Sequence, residues 1–134
     1  MDSVKILLVE ANTTIRQMLE EILIYEVDLR FEVVCCENGT QALYMLHEHR
    51  LQPDLIVSGI KMRGMDGFEM LQAIRNESRW QHIPILLLSM LNNESEMHRA
   101  RQMGIENDLI KPFPVNALLQ AIYHYLGYER IAMD

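Results

Sequence analysis

The sequence predicts an α/β fold in which a parallel sheet is sandwiched between helices. Three observations carry that expectation. Strand-like and helix-like patterns alternate five times along the 134 residues. The runs at Val4–Val9, Leu55–Val57 and Ile83–Leu88 are almost wholly apolar, as strands covered on both faces are. The connections are short, so successive strands return through right-handed helical crossovers.

VKILLV at Val4–Val9 is the first buried strand. Asn12 suits an N-cap for the next helix, whose inward stripe is Ile15, Met18, Leu19, Ile22 and Leu23. Phe31–Cys36 is the second strand, and Asn38-Gly39 turns the chain into a helix with Ala42, Leu43 and Leu46 inward. Pro53 stops that helix and leads into the third strand, which breaks at Ser58-Gly59. A loop with Gly64 and Gly67 follows, and Asp66 stands where an N-cap belongs, ahead of Phe68, Leu71 and Ile74 at helical spacing. Ile83–Leu88 is the fourth strand, and Glu94–Met103 a more polar helix closed by Gly104. Asp108–Ile110 is a short fifth strand, and Pro114–Leu126 a final amphipathic helix. Nothing repeats and no linker intervenes, so one domain is expected over 1–127 with a short tail at 128–134.

Twelve basic against nineteen acidic residues give a formal charge of -7, which argues against nucleic acid as the direct partner. No apolar run approaches membrane-spanning length and no signal-peptide pattern precedes Val4, so a cytoplasmic chain with no membrane partner is expected. Cys35 and Cys36 are adjacent in a strand and point to opposite faces, as packing residues of a reducing compartment. The five histidines are scattered and form no ligand set. Met62, Met65 and Met90 read as gap fillers.

In this order and spacing, ILLVE at the first strand, PDLIVS and GMDGFEML around the third, IPILLLS at the fourth and LIKPF after the fifth resemble the receiver domain of two-component response regulators. The resemblance covers essentially the whole chain. It implies a three-layer flavodoxin-like doubly wound sheet of strand order 2-1-3-4-5, two helices on one face and three on the other, and a cis peptide at Lys111-Pro112. It also implies the family's chemistry. A carboxylate ending the third strand accepts a phosphoryl group from a histidine kinase, and acidic residues ending the first strand help hold Mg2+. A fourth-strand hydroxyl and a fifth-loop lysine sense the transferred group. Carried onto this sequence, Glu10 matches one of the acidic pair, Ser89 the hydroxyl and Lys111 the lysine.

Two positions depart from that pattern. The phosphoacceptor position is Gly59, which offers no nucleophile, and the direct metal position is Ala11. Glu10 alone is a poor site for an ion that dehydrates reluctantly, so no catalytic residue, no enzymatic activity, no specific Mg2+ and no other cofactor are expected. Arg63 replaces a usual proline, Met90 narrows the donor's access route, and Asp108 replaces the switching aromatic. Glu10, one methylene longer than aspartate, is expected to reach into the vacated space and pair with Lys111.

These residues describe a pseudo-receiver: a signalling module meeting a protein partner without phosphorylation. By resemblance, its contact surface is the face of the fourth helix, fifth strand and fifth helix, where the last helix offers Leu118, Leu119, Ile122, Tyr123 and Tyr125. A homodimer through that face is a second use of it. Two alternatives stand beside this reading. One is a phosphorelay regulator accepting phosphate on a substitute residue, for which Asp66 is better read as a helix cap and Asp54 begins its strand at the wrong end. The other is a flavodoxin-like small-molecule binder holding a phosphate in the loop from Ala11 to Thr14.

Overall fold

The computed structural model describes residues 3–90, 94–104, 109–111 and 115–127, and for 89–90 and 109–111 the description covers the backbone. The strands are β1 (Val4–Val9), β2 (Phe31–Cys36), β3 (Leu55–Gly59), β4 (Ile85–Met90) and β5 (Leu109–Lys111). The helices between and after them are α1 (Thr13–Ile24), α2 (Gly39–His47), α3 (Gly67–Arg75), α4 (Glu94–Gln102) and α5 (Val115–Leu126). All strand pairs are parallel and the sheet order is β2-β1-β3-β4-β5, as expected.

Apolar side chains alternate between two cores. Leu7, Val9, Ile56 and Leu87 meet α2, α3 and α4 on one face. Ile6, Leu8, Val57 and Leu86 meet α1 and α5 on the other. Cys36 falls in the first core and Cys35 packs against the second, as their alternation requires. The fourth helix meets both the first core and α3. Ala100 is buried, the Arg99 guanidinium lies 4.5 Å from the Phe68 ring centroid, and Arg75 Nη1 donates to the Met103 carbonyl.

Several boundaries differ from expectation for local reasons. The third strand runs through Ser58 and Gly59 because the ladder pairs Gly59 with Leu88. A buried serine is tolerated there because its hydroxyl donates to the Gly59 carbonyl at 2.7 Å. The fourth strand starts at Ile85, after Pro84, which has no N–H to give a ladder. On α1, Leu19 and Leu23 are buried but Met18 is 49% exposed, so the inward stripe is narrower than the hydrophobic pattern suggested.

The expected interface anchors of α5 need the largest correction. Leu118, Leu119, Ile122 and Tyr123 are core residues, and Tyr123 meets Phe31 edge-on with ring centroids 6.3 Å apart. They form the single helix face that a helix lying on a sheet must bury, which removes them as contacts for a partner. Tyr125 is partly buried against the same core, while Val115 is half exposed.

The α3 cap matches its sequence signature. Asp66 Oδ1 accepts from the Glu69 amide at 2.8 Å and Glu69 Oε1 accepts from the Asp66 amide at 3.2 Å, a reciprocal capping box. Asp66→Ala removes it, and urea unfolding should show a loss of about 1 kcal/mol.

Candidate functional site

The register brings the carboxyl ends of the central strands level. Val9 pairs with Ser58 and with Cys36, and Gly59 pairs with Leu88. Glu10, the residue after β1, therefore stands beside Gly59, the last residue of β3. Its amide donates to the Cys36 carbonyl at 3.0 Å, prolonging the ladder by one bond. The Glu10 side chain is 3% exposed, so its direction is fixed by what surrounds it.

That direction is toward Gly59. A Cβ placed on Gly59 would lie 2.8 Å from Glu10 Oε1 and 3.3 Å from its Cδ. The Glu10 carboxylate thus occupies the space into which a side chain at position 59 would project. Gly59 is not among the described glycines with positive φ, which are Gly64, Gly104 and Gly127. Its backbone would accept any residue; what the glycine supplies is room.

Glu10 is held there by the loop that follows. Its Oε2 accepts from the Asn12 amide at 3.0 Å, and Asn12 Oδ1 in turn caps α1 by accepting from the Ile15 amide at 2.9 Å. Two of the amides at this helix start, those of Asn12 and Ile15, are accordingly engaged within the chain. The side chain of Ala11 is exposed and adds no oxygen.

Sequence reasoning missed Arg16. Its side chain is only 14% exposed, Nη1 donates to the Glu10 carbonyl at 2.7 Å, and Nη2 lies 3.9 Å from Glu37 Oε1. A charge-assisted bond of this kind fixes the turn between β1 and α1. Nothing in the sequence separates Arg16 from an ordinary solvated arginine in a first helical turn; only its six-residue offset from Glu10 hints that it folds back.

Ser89 pairs with Ile110 and Lys111 with Met90 in the backbone ladder, which sets both at the same carboxyl edge. Their side chains lie outside the described residues, as do Asp108, the peptide at Pro112 and the expected Glu10–Lys111 pairing. The two substitute acceptors are placed otherwise. Asp54 Oδ2 accepts from the Lys5 amide at 2.8 Å at the opposite, amino edge of the sheet. Asp66 is the cap already described.

The residues present do not fit the Mg2+ site of the resemblance. Position 11 has no side-chain oxygen, position 59 has no side chain, and Glu10 is turned to fill the gap. Among the described residues no three His, Cys, Asp or Glu side chains come together as a metal site. The cysteines are chemically quiet as well. Burial, reinforced by Glu20 Oε2 at 3.3 Å, pushes the Cys35 thiol up to about 12, and burial pushes Cys36 up to about 11. At pH 8 both should remain protonated, and alkylation by iodoacetamide should be much slower in the native than in the unfolded chain.

A family model for the response regulator receiver domain matches residues 6–123. The chain belongs to this family. This receiver is 32% identical over 119 residues to the chemotaxis protein CheY of Pseudomonas aeruginosa, covering 88% of this chain and 92% of that one. It is 31% identical over 97 residues to the polar-differentiation response regulator DivK of Brucella anthropi, covering 72% and 77%. Among solved structures, the chemotaxis protein CheY4 of Vibrio cholerae superposes with a TM-score of 0.80 at 30% identity, covering 93% of this chain and 100% of that one. Receivers are signalling modules that work through protein partners. No helix among the described residues is long and apolar enough to cross a membrane.

Proposed function

We propose that this receiver signals by protein–protein contact without accepting a phosphoryl group. One observation carries the reading: the Glu10 carboxylate lies 2.8 Å from where a Cβ on Gly59 would be. An acceptor must present an oxygen there, and this chain presents backbone with another residue's carboxylate folded over it. A phosphoryl group arriving at that point would meet a resident anion and no carboxylate pair to hold a neutralising Mg2+. The two substitute carboxylates are engaged in local hydrogen bonds, which favours the silent pocket over a relocated acceptor.

The test is a calorimetric titration with Mg2+ and beryllofluoride. The native chain should give no binding heat. The triple variant Glu10→Asp, Ala11→Asp, Gly59→Asp restores both missing carboxylates and shortens the one that blocks them, and should bind. Saturable binding by the native chain would overturn the proposal.

A further inference from the structure

The structure describes six large hydrophobic side chains as strongly exposed, and four of them fall within ten residues. They are Met18 (49%), Ile24 (54%), Tyr25 (78%) and Val27 (87%). They lie from the middle of α1 to the turn behind it, and Met18 and the C-cap Tyr25, seven apart, share one side of that helix. Scattered single exposures need no explanation, but this concentration does.

Between Arg16 and the exposed Arg30, every charged residue of this stretch is acidic. Glu20, Glu21, Glu26 and Asp28 fall there, with no Lys, Arg or His among them. Glu20 Oε2 faces the Cys35 thiol and Glu26 Oε1 accepts from the Val27 amide, so Glu21 and Asp28 are the exposed carboxylates. Arg16 is committed to the Glu10 carbonyl. The last turn of α1 carries no basic residue, so carboxylates crowd the negative pole of the helix. A cation is favoured at that pole, and a second carboxylate is not.

We infer that the carboxyl-terminal half of α1 and the turn through Asp28 form a docking surface for a basic amphipathic segment of a protein partner. Such a segment sets Lys or Arg against the exposed carboxylates of Glu21 and Asp28 and an apolar stripe against Ile24, Tyr25 and Val27. A second copy of this chain is disfavoured, because it would oppose like charges. An anionic lipid surface is disfavoured for the same reason. The surface lies at the amino edge of the sheet, a helix length of roughly 18 Å from the edge that holds Gly59. This deepens the proposed function and rests on it at one point, that contact needs no phosphoryl group.

The test uses the isotope-labelled full chain, with no phosphodonor, and three synthetic peptides followed by amide chemical shifts. A Leu/Lys amphipathic peptide should shift residues 18–28 saturably, and weaken as salt is raised. The exposed-site variant Tyr25→Ser, Val27→Ser should keep its native spectrum and bind roughly tenfold more weakly. A Leu/Glu peptide should leave the same amides unmoved. The inference is overturned if a Lys/Ser peptide binds as tightly as Leu/Lys, or if Leu/Glu binds equally. It is also overturned if the shifts gather elsewhere, or if residues 18–28 shift with protein concentration alone, which would make a second copy the occupant. A null titration removes this surface and leaves the silent pocket standing. An acyl phosphate detected by mass does the reverse.

Discussion

Gly59→Asp, made alone, is expected to lower stability by about 2–4 kcal/mol at neutral pH, even though it supplies the carboxylate that the family resemblance implies at this position. The new Cβ would sit 2.8 Å from Glu10 Oε1, so the Glu10 side chain must withdraw. Withdrawal breaks its 3.0 Å bond from the Asn12 amide, and two carboxylates then share a buried edge where one was accommodated. The same crowding makes a cation site. Millimolar Mg2+ should therefore recover part of the loss in the variant and leave the native chain unmoved. Urea unfolding of both proteins with and without Mg2+ measures this. A variant as stable as the native chain would mean that Glu10 does not fill the space.

Gly67→Ala should be as damaging for a different reason. A Cβ at Gly67 would fall well inside van der Waals contact of the Gly59 carbonyl oxygen and 3.0 Å from the Ile60 Cα. Both are backbone atoms, and the Gly67 amide is already bonded to the Ile60 carbonyl at 2.8 Å. The start of α3 is thus clamped to the end of β3, and relief requires moving a helix whose Phe68, Met70 and Leu71 are core residues. A loss of about 3 kcal/mol is expected, as for other substitutions that overfill a packed interior. Gly59→Ala meets the movable tip of Glu10 and not backbone; it forces the same retreat from the Asn12 amide but adds no second carboxylate, and should cost only about 1 kcal/mol. Thermal unfolding of the two variants gives the comparison, and the opposite ranking would contradict the site geometry.

The contrast between these glycines shows where the sequence was informative. Strand and helix alternation and the Asp66 cap were legible because hydrophobic period and capping chemistry are local, whereas the five-strand order came from the family resemblance. The strand ends were less so: Ser58 and Gly59 read as a break, yet a buried hydroxyl bond and a ladder partner keep them in β3. The α5 anchors failed because an apolar stripe does not say whether it faces a sheet or a partner, and here the sheet claims Leu118, Leu119, Ile122 and Tyr123. Within the site, the absent side chain at Gly59 was visible, and the extra methylene of Glu10 suggested its reach. Arg16 was invisible, since its role depends on a turn folding its guanidinium back onto the Glu10 carbonyl.

The central claim is that position 59 is closed to a phosphoryl group by its own neighbour. Intact-mass measurement of the native chain after incubation with acetyl phosphate and Mg2+ tests this most directly. An unchanged mass is the predicted result; a stable gain of one phosphoryl group would contradict it.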